Sequence, residues 1–148
     1  MDFILNSVYA VDPVYVLMSA VAQQMLAMAW FDCIVGQIDR YYLAADKGVR
    51  RVEHAITRYP GVMISATTFA CSLLRSLVVL TMVSMCNCST LYQYQSAAMV
   101  AVMIGMMRVH RTFSCHRPLQ LFVTETGYEM AAAMTAAVVC YYMKKYDF

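Results

Sequence analysis

Residues 119–143 read LQLFVTETGYEMAAAMTAAVVCYYM, and this apolar stretch decides the predicted fold. A helix of this length crosses a hydrocarbon layer about 30 Å thick. The stretch also carries two acids, Glu125 and Glu129, one helical turn apart. Ionisable groups inside a spanning helix are costly, so they face a partner or a wet cavity. The sequence therefore predicts a membrane helix with a polar inner face.

The composition of the whole chain agrees with a membrane protein. Of its 148 residues, 61% are apolar and only 14% are charged, whereas a soluble domain carries about 25% charged residues. The charges are clustered and leave long uncharged runs between them. The net charge of +2 is small and no basic-aromatic groove pattern occurs, which argues against a nucleic-acid partner.

The uncharged runs predict one all-α domain, residues 1–148, built as an integral membrane bundle of four transmembrane helices. The predicted spans are residues 14–35, 61–85, 91–107 and 119–143. Trp30 and Phe31 fall near the end of the first span, where aromatic residues favour the membrane interface. Residues 47–59 have apolar positions at helical spacing opposite basic ones, which predicts a short amphipathic interfacial helix. A solvated helix between spans fits that pattern equally well.

Lysine and arginine set the predicted orientation. The connection after the first span holds five of them and the connection after the third holds three, against two in the C-terminal tail. The basic side is expected to face the cytoplasm or the mitochondrial matrix. Both termini would then lie in the intermembrane space, or outside a bacterial-type plasma membrane. The N-terminal residues match neither a secretory signal nor a transit peptide, so we expect any targeting signal to be internal.

Three charges inside the spans form a predicted buried polar network of Arg75, Glu125 and Glu129. Arg75 lies about 21 Å from the basic side and Glu129 about 15 Å from it, at 1.5 Å per residue. A long arginine side chain bridges that difference, which favours Arg75–Glu129 as the pair. A network that fixes helix register is the preferred interpretation over a proton or ion pathway, because three charges do not form a continuous relay.

Small residues predict close helix packing, and basic residues predict contact with lipid. Ala97, Ala101 and Gly105 form a stripe that lets a neighbouring helix approach, and Gly127 is assigned the same packing role. Five arginines near the basic side are predicted to bind anionic head groups, such as those of cardiolipin. They are Arg50, Arg51, Arg58, Arg108 and Arg111.

No pattern of catalytic or metal-binding residues is found. Cys86 and Cys88 are separated by the third span from His110, Cys115 and His116, so each group alone has too few ligands for a zinc site. The histidines all lie outside the spans, which argues against a haem. No Ser-His-Asp set, phosphate loop or nucleotide fingerprint occurs. We therefore predict no catalytic residue, metal, other cofactor or small-molecule substrate, and mostly reduced cysteines.

Two segments resemble the uncharacterised membrane family named domain of unknown function 1761. Residues 29–36, AWFDCIVG, are similar to the family pattern of Trp, an aromatic residue, Pro and Gly, with Cys33 at the proline position. Residues 117–128, RPLQLFVTETGY, are similar to its basic, Leu-Phe and Asn-x-Gly-Tyr pattern, with Glu125 where Asn is common. The likeness extends over residues 13–143 and implies four membrane helices without an established activity. The change at Glu125 means that no family role is carried over to it.

These observations predict a non-catalytic accessory subunit of a larger membrane complex. Its expected partners are other integral membrane subunits and anionic lipids. The preferred setting is an energy-transducing complex of the inner mitochondrial membrane, either a respiratory-chain complex or the ATP synthase. The alternative is a small transporter or proton-conducting protein that uses Arg75, Glu125 and Glu129. A membrane enzyme is disfavoured by the residue inventory.

Overall fold

The structure, a computed structural model, describes residues 7–9, 11–48, 60–107, 114–115 and 118–146. Across these ranges the regular structure is entirely helical. Helix α1 is Pro13–Met28, which continues directly into a π-helical turn, Ala29–Ile34. The remaining helices are α2, Gly36–Asp46; α3, Gly61–Met85; α4, Leu91–Met106; and α5, Leu119–Tyr146.

The start of α1 follows from its first two residues. The Asp12 carboxylate accepts a hydrogen bond from the backbone N–H of Val14 at 2.9 Å. This capping bond satisfies one of the donors that a helix leaves without a partner at its N-terminus. Pro13 occupies the first helical position, where its missing N–H costs nothing.

The π-helical turn lies at the end of the first predicted span, and α2 lies in what the sequence suggested was a connection. The N–H of Val35 donates to the carbonyl of Trp30, five residues earlier, at 2.9 Å. A Cβ added to Gly36 would lie 2.4 Å from the carbonyl oxygen of Phe31, so only glycine fits after this wide turn. Helix α2 then ends in a turn at Lys47 and Gly48, where the predicted interfacial helix was to begin. Residues 49–59 of that prediction lie outside the described residues.

A tight turn joins α3 to α4. Asn87 adopts a left-handed conformation with φ 48°. The N–H of Cys88 donates to the carbonyl of Val83, and the N–H of Asn87 donates to that of Ser84. These two bonds form a Schellman motif, which ends α3 and reverses the chain. The Gln93 side chain then accepts from the N–H groups of Ser89 and Thr90, which caps the start of α4.

Helix α5 packs against α1, α3 and α4 and so forms the centre of the bundle. The main core lies near the tight turn and consists of residues from α3, α4 and α5: Val79, Leu80, Val83, Tyr94, Ala98, Val102, Ala133, Ala137 and Cys140. The buried face of α4 is therefore centred one position beyond the predicted stripe. Ala97 and Ala101 border the core. Gly105 is exposed, and an added Cβ there would meet no atom within 4 Å.

Many large apolar side chains point outward from the bundle. Two helices, Pro13–Ile34 and Gly61–Met85, are long and apolar enough to cross a membrane. In their most apolar windows only 22% and 17% of the residues are buried inside the chain. Helix α4 has 16 residues, which gives it a length of about 24 Å. Helix α5 is longer, but Glu125 and Glu129 and the final pair of lysines lower its apolar character.

Candidate functional site

The side chain of Arg75, in the middle of α3, connects three helices. Its Nη2 donates to Glu129 Oε2 of α5 in an ion pair, and its Nη1 donates to Gln23 Oε1 of α1 at 2.9 Å. Its guanidinium also lies over the ring of Tyr128, 5.6 Å from the centroid. The arginine side chain is 13% exposed. Glu129, the partner that the depth argument favours, is therefore in contact with Arg75.

A buried polar cluster, formed by Ser19, Gln23, Ser72 and Ser76, continues from this ion pair into the interface between α1 and α3. Gln23 Nε2 donates to Ser76 Oγ at 2.7 Å and lies 3.2 Å from Ser19 Oγ. All four residues are fully buried. The sequence analysis did not assign Gln23 to the polar network. The available signal was the i, i+4 spacing of Ser19 with Gln23 and of Ser72 with Ser76, which places each polar pair on one helix face.

Glu129 also faces a groove of about 790 Å³ between α3, α4 and α5. Residues from 67–78, 101–106 and 122–133 line it, together with Phe31. The lining includes Glu125, which is exposed, and the Glu129 side chain is 51% exposed. The polar network is thus buried on the side of α1 and exposed on the side of the groove. In this geometry Glu129 accepts a bond from Arg75 and still presents surface to a second group.

Aromatic side chains form the wall between this groove and α1. The rings of Phe31 and Tyr128 are 5.0 Å apart between centroids. A Cβ added to Gly127 would lie 3.1 Å from the Trp30 ring, so the glycine makes room for the indole. Trp30 and Phe31 therefore pack towards α5. Among the described residues the Trp30 Nε1 and Tyr128 hydroxyl groups have no hydrogen-bond partner.

The predicted lipid site cannot be compared with this geometry, because its five arginines, Arg50, Arg51, Arg58, Arg108 and Arg111, lie outside the described residues. The three histidines lie outside them as well. Within the described ranges no group of three or more His, Cys, Asp or Glu side chains is arranged to hold a metal ion.

The tight turn holds two of the free cysteines. Cys86 is exposed, whereas Cys88 is partly buried against the core. Burial raises the pKa of the Cys88 thiol above its usual value, and the neighbouring Cys86 raises it further. Since the thiolate is the reactive form, we expect the raised pKa to slow the reactions of Cys88 near neutral pH.

Comparisons with known proteins do not extend this description. No family model matches the chain, and no curated protein or solved structure is significantly similar to it. The resemblance to domain of unknown function 1761 stays a prediction.

Proposed function

We propose that this chain is an integral membrane protein in which α1, α3, α4 and α5 cross the bilayer as one bundle. It acts as a non-catalytic subunit that helps to hold a larger membrane assembly together. The inner mitochondrial membrane stays a prediction for its location.

The observation that carries this proposal is the distribution of polar and apolar side chains. The apolar helices α1 and α3 leave most of their residues outside the core of the chain. The charged group of α3, Arg75, instead turns inward to Gln23 and Glu129. A soluble protein rarely exposes so much contiguous apolar surface, whereas lipid or a partner helix covers it at no cost.

The α4 helix is short for a membrane span. It fits this proposal when neighbouring helices shield its ends from lipid or when the bilayer is locally thinner. Its length of about 24 Å falls short of a hydrocarbon layer of about 30 Å. A mismatch of this size costs only fractions of a kcal/mol per Å. Such a helix gains from partners, which is consistent with a subunit of an assembly.

The ion pair supports a structural role. Arg75 is bonded to side chains of two other helices, so it fixes the relative depth of α1, α3 and α5. In some proteins a pair of this kind specifies helix register without adding net stability.

The experiment that tests the proposal combines topology with co-purification. Variants that retain only Cys86 or only Cys115 are treated with a membrane-impermeant maleimide from either side of sealed vesicles. We expect the two cysteines to react from opposite sides, and the protein to migrate with a large complex in mild detergent. Reaction of both from the same side would contradict the four-span topology. Migration as a small isolated species would contradict the subunit role.

A proton-conducting or ion-conducting function is the second candidate. It is favoured by one observation, the half-exposed Glu129 at the inner end of a groove that also contains Glu125. Proton flux into reconstituted vesicles separates the two functions. A structural subunit gives the flux of empty vesicles, whereas a conducting protein gives a flux that Glu129→Gln abolishes.

A further inference from the structure

We propose that the groove between α3, α4 and α5 docks a transmembrane helix of a partner protein, and that this helix presents a lysine or arginine to Glu129. The proposal rests on the proposed function, because it requires the bundle to lie in a membrane. It adds the surface used in assembly and the chemistry that recognises the partner.

The first argument is the exposure of Glu129. Arg75 bonds one of its carboxylate oxygens, yet 51% of the side chain remains exposed to the groove. Arg75 is also shared with Gln23, so it is held on the inner side of the carboxylate. A carboxylate that faces hydrocarbon is costly unless another polar group covers it. A cationic side chain is the complement that gives the strongest bond to it.

The second argument is the shape of the groove. Its lining extends over residues 67–78 of α3 and 122–133 of α5, about 16 Å along each helix axis. This length matches three turns of a docked helix. On the α4 side the lining includes Ala101 and Gly105, and a Cβ at Gly105 would meet no atom within 4 Å. Small residues at such a position let the backbone of a second helix approach closely.

The third argument is the apolar surface beside the groove. Leu74 is 62% exposed, Val78 is 46% exposed and Ile104 is 54% exposed. Leu74 and Val78 lie on α3 and Ile104 lies on α4. They offer contacts to a helix seated between α3 and α4. A helix docked in the groove therefore covers both the Glu129 carboxylate and these apolar side chains.

The test uses a defined helix as the probe. The full chain is reconstituted in neutral phospholipid vesicles with a labelled leucine-alanine transmembrane peptide that carries one central lysine. A matched peptide carries leucine at the same position. Association is followed by energy transfer between labels on the peptide and on Cys86. We expect the lysine peptide to associate at least tenfold more tightly than the leucine peptide.

Two substitutions locate the binding surface. Gly105→Leu fills the groove at an open position and is expected to weaken association of the lysine peptide at least tenfold. Val100→Leu, on an exposed part of the same helix outside the groove lining, is the control and is expected to leave association unchanged. Glu129→Gln is expected to remove the preference for lysine while weak association of both peptides remains.

Different outcomes overturn different proposals. Equal association of the two peptides with the wild-type chain, or full association with Gly105→Leu, overturns the docking surface alone. A chain that is stripped from vesicles by alkaline carbonate overturns the membrane proposal, and with it the docking surface.

Discussion

The bundle has a closed half and an open half. In the closed half, near the tight turn, the core residues Val83, Tyr94 and Cys140 are almost completely buried. In the open half α3 and α4 border the groove that contains Glu129. The turn between α3 and α4, residues 86–90, holds these two helices together at the closed end. Their other ends are not joined directly, and the groove lies between them.

We expect the largest effect from the ion pair at the boundary between the two halves, because removing either charge leaves the other without its partner. Glu129→Leu strands Arg75, which is only 13% exposed, and breaking such a pair costs about 3–5 kcal/mol when the remaining charge is buried. Arg75→Leu strands Glu129, which is 51% exposed, so its loss should be smaller. Unfolding in mixed micelles with increasing SDS measures both values.

The double variant Arg75→Leu/Glu129→Leu is the control for this prediction. Replacing both charges with apolar groups is often near neutral, so it should recover most of the stability. A double variant whose loss equals the sum of the two single losses would show that the two side chains act independently. A greater loss for Arg75→Leu than for Glu129→Leu would contradict the difference in exposure.

Enlarging a small residue of α4 tests the comparison directly. Ala98→Leu adds volume at a fully buried site of the closed half, and we expect a loss of about 1–3 kcal/mol from overpacking. Gly105→Leu adds even more atoms in the open half, where an added Cβ meets nothing within 4 Å, and it should not lower stability. Equal losses in the same SDS titration would mean that both halves are packed alike.

Removing a serine hydroxyl should also cost more stability at a buried site than at an exposed one, with smaller losses than those above. Ser76→Ala removes the 2.7 Å bond from the buried Gln23 amide, and we expect a cost of about 1–2 kcal/mol. Ser65→Ala removes a 2.9 Å bond from Gln24 at an exposed site and should cost about 0.5 kcal/mol or less. Thermal unfolding in one detergent compares the two, and a larger loss for Ser65→Ala would contradict the assigned burial.

The smallest expected effect is a difference in reaction rate at the turn. Because its pKa is raised, Cys88 holds less thiolate than an ordinary cysteine at pH 7, and its maleimide reaction should be slower than that of Cys86. The Cys88 rate should keep rising with pH until its raised pKa is passed. Single-cysteine variants give both rates, and labelling in SDS is the control in which the difference should disappear. Faster reaction of Cys88 in the folded chain would show that it is not buried.

The sequence predicted the helices better than the contacts between them. Long apolar runs predicted helices at 61–85 and 91–107, and the structure has Gly61–Met85 and Leu91–Met106. Helix α2 was missed, because its polar composition resembles a solvated connection and the π-helical turn before it has no recognised sequence pattern. Four spans were predicted, yet in the part of the chain that the structure describes two helices meet the length and apolarity that a span requires.

For the candidate site, the sequence predicted the contact that depends only on how far each residue lies along its helix. Counting residues from the basic side favoured Glu129 as the partner of Arg75, because the rise per residue is constant in a helix. The same counting could not identify Gln23, since its contact with Arg75 depends on the rotation of α1 about its own axis. For the same reason the packed face of α4 was predicted one position away from Ala98. Periodicity alone does not determine rotation in helices that are apolar on all sides.

The π-helical turn makes the chain sensitive to the number of residues it contains. A π turn accommodates one more residue than an α turn, and the extra residue sets the phase of everything that follows. If the same residues wound as an uninterrupted α-helix, every residue after the turn would be rotated by about 100° about the helix axis. Asp39 would then move away from Thr124, whose hydroxyl lies 3.2 Å from its carboxylate. The wide turn thus specifies which face of α2 meets α5, and its gain or loss is a discrete way to redirect the helix.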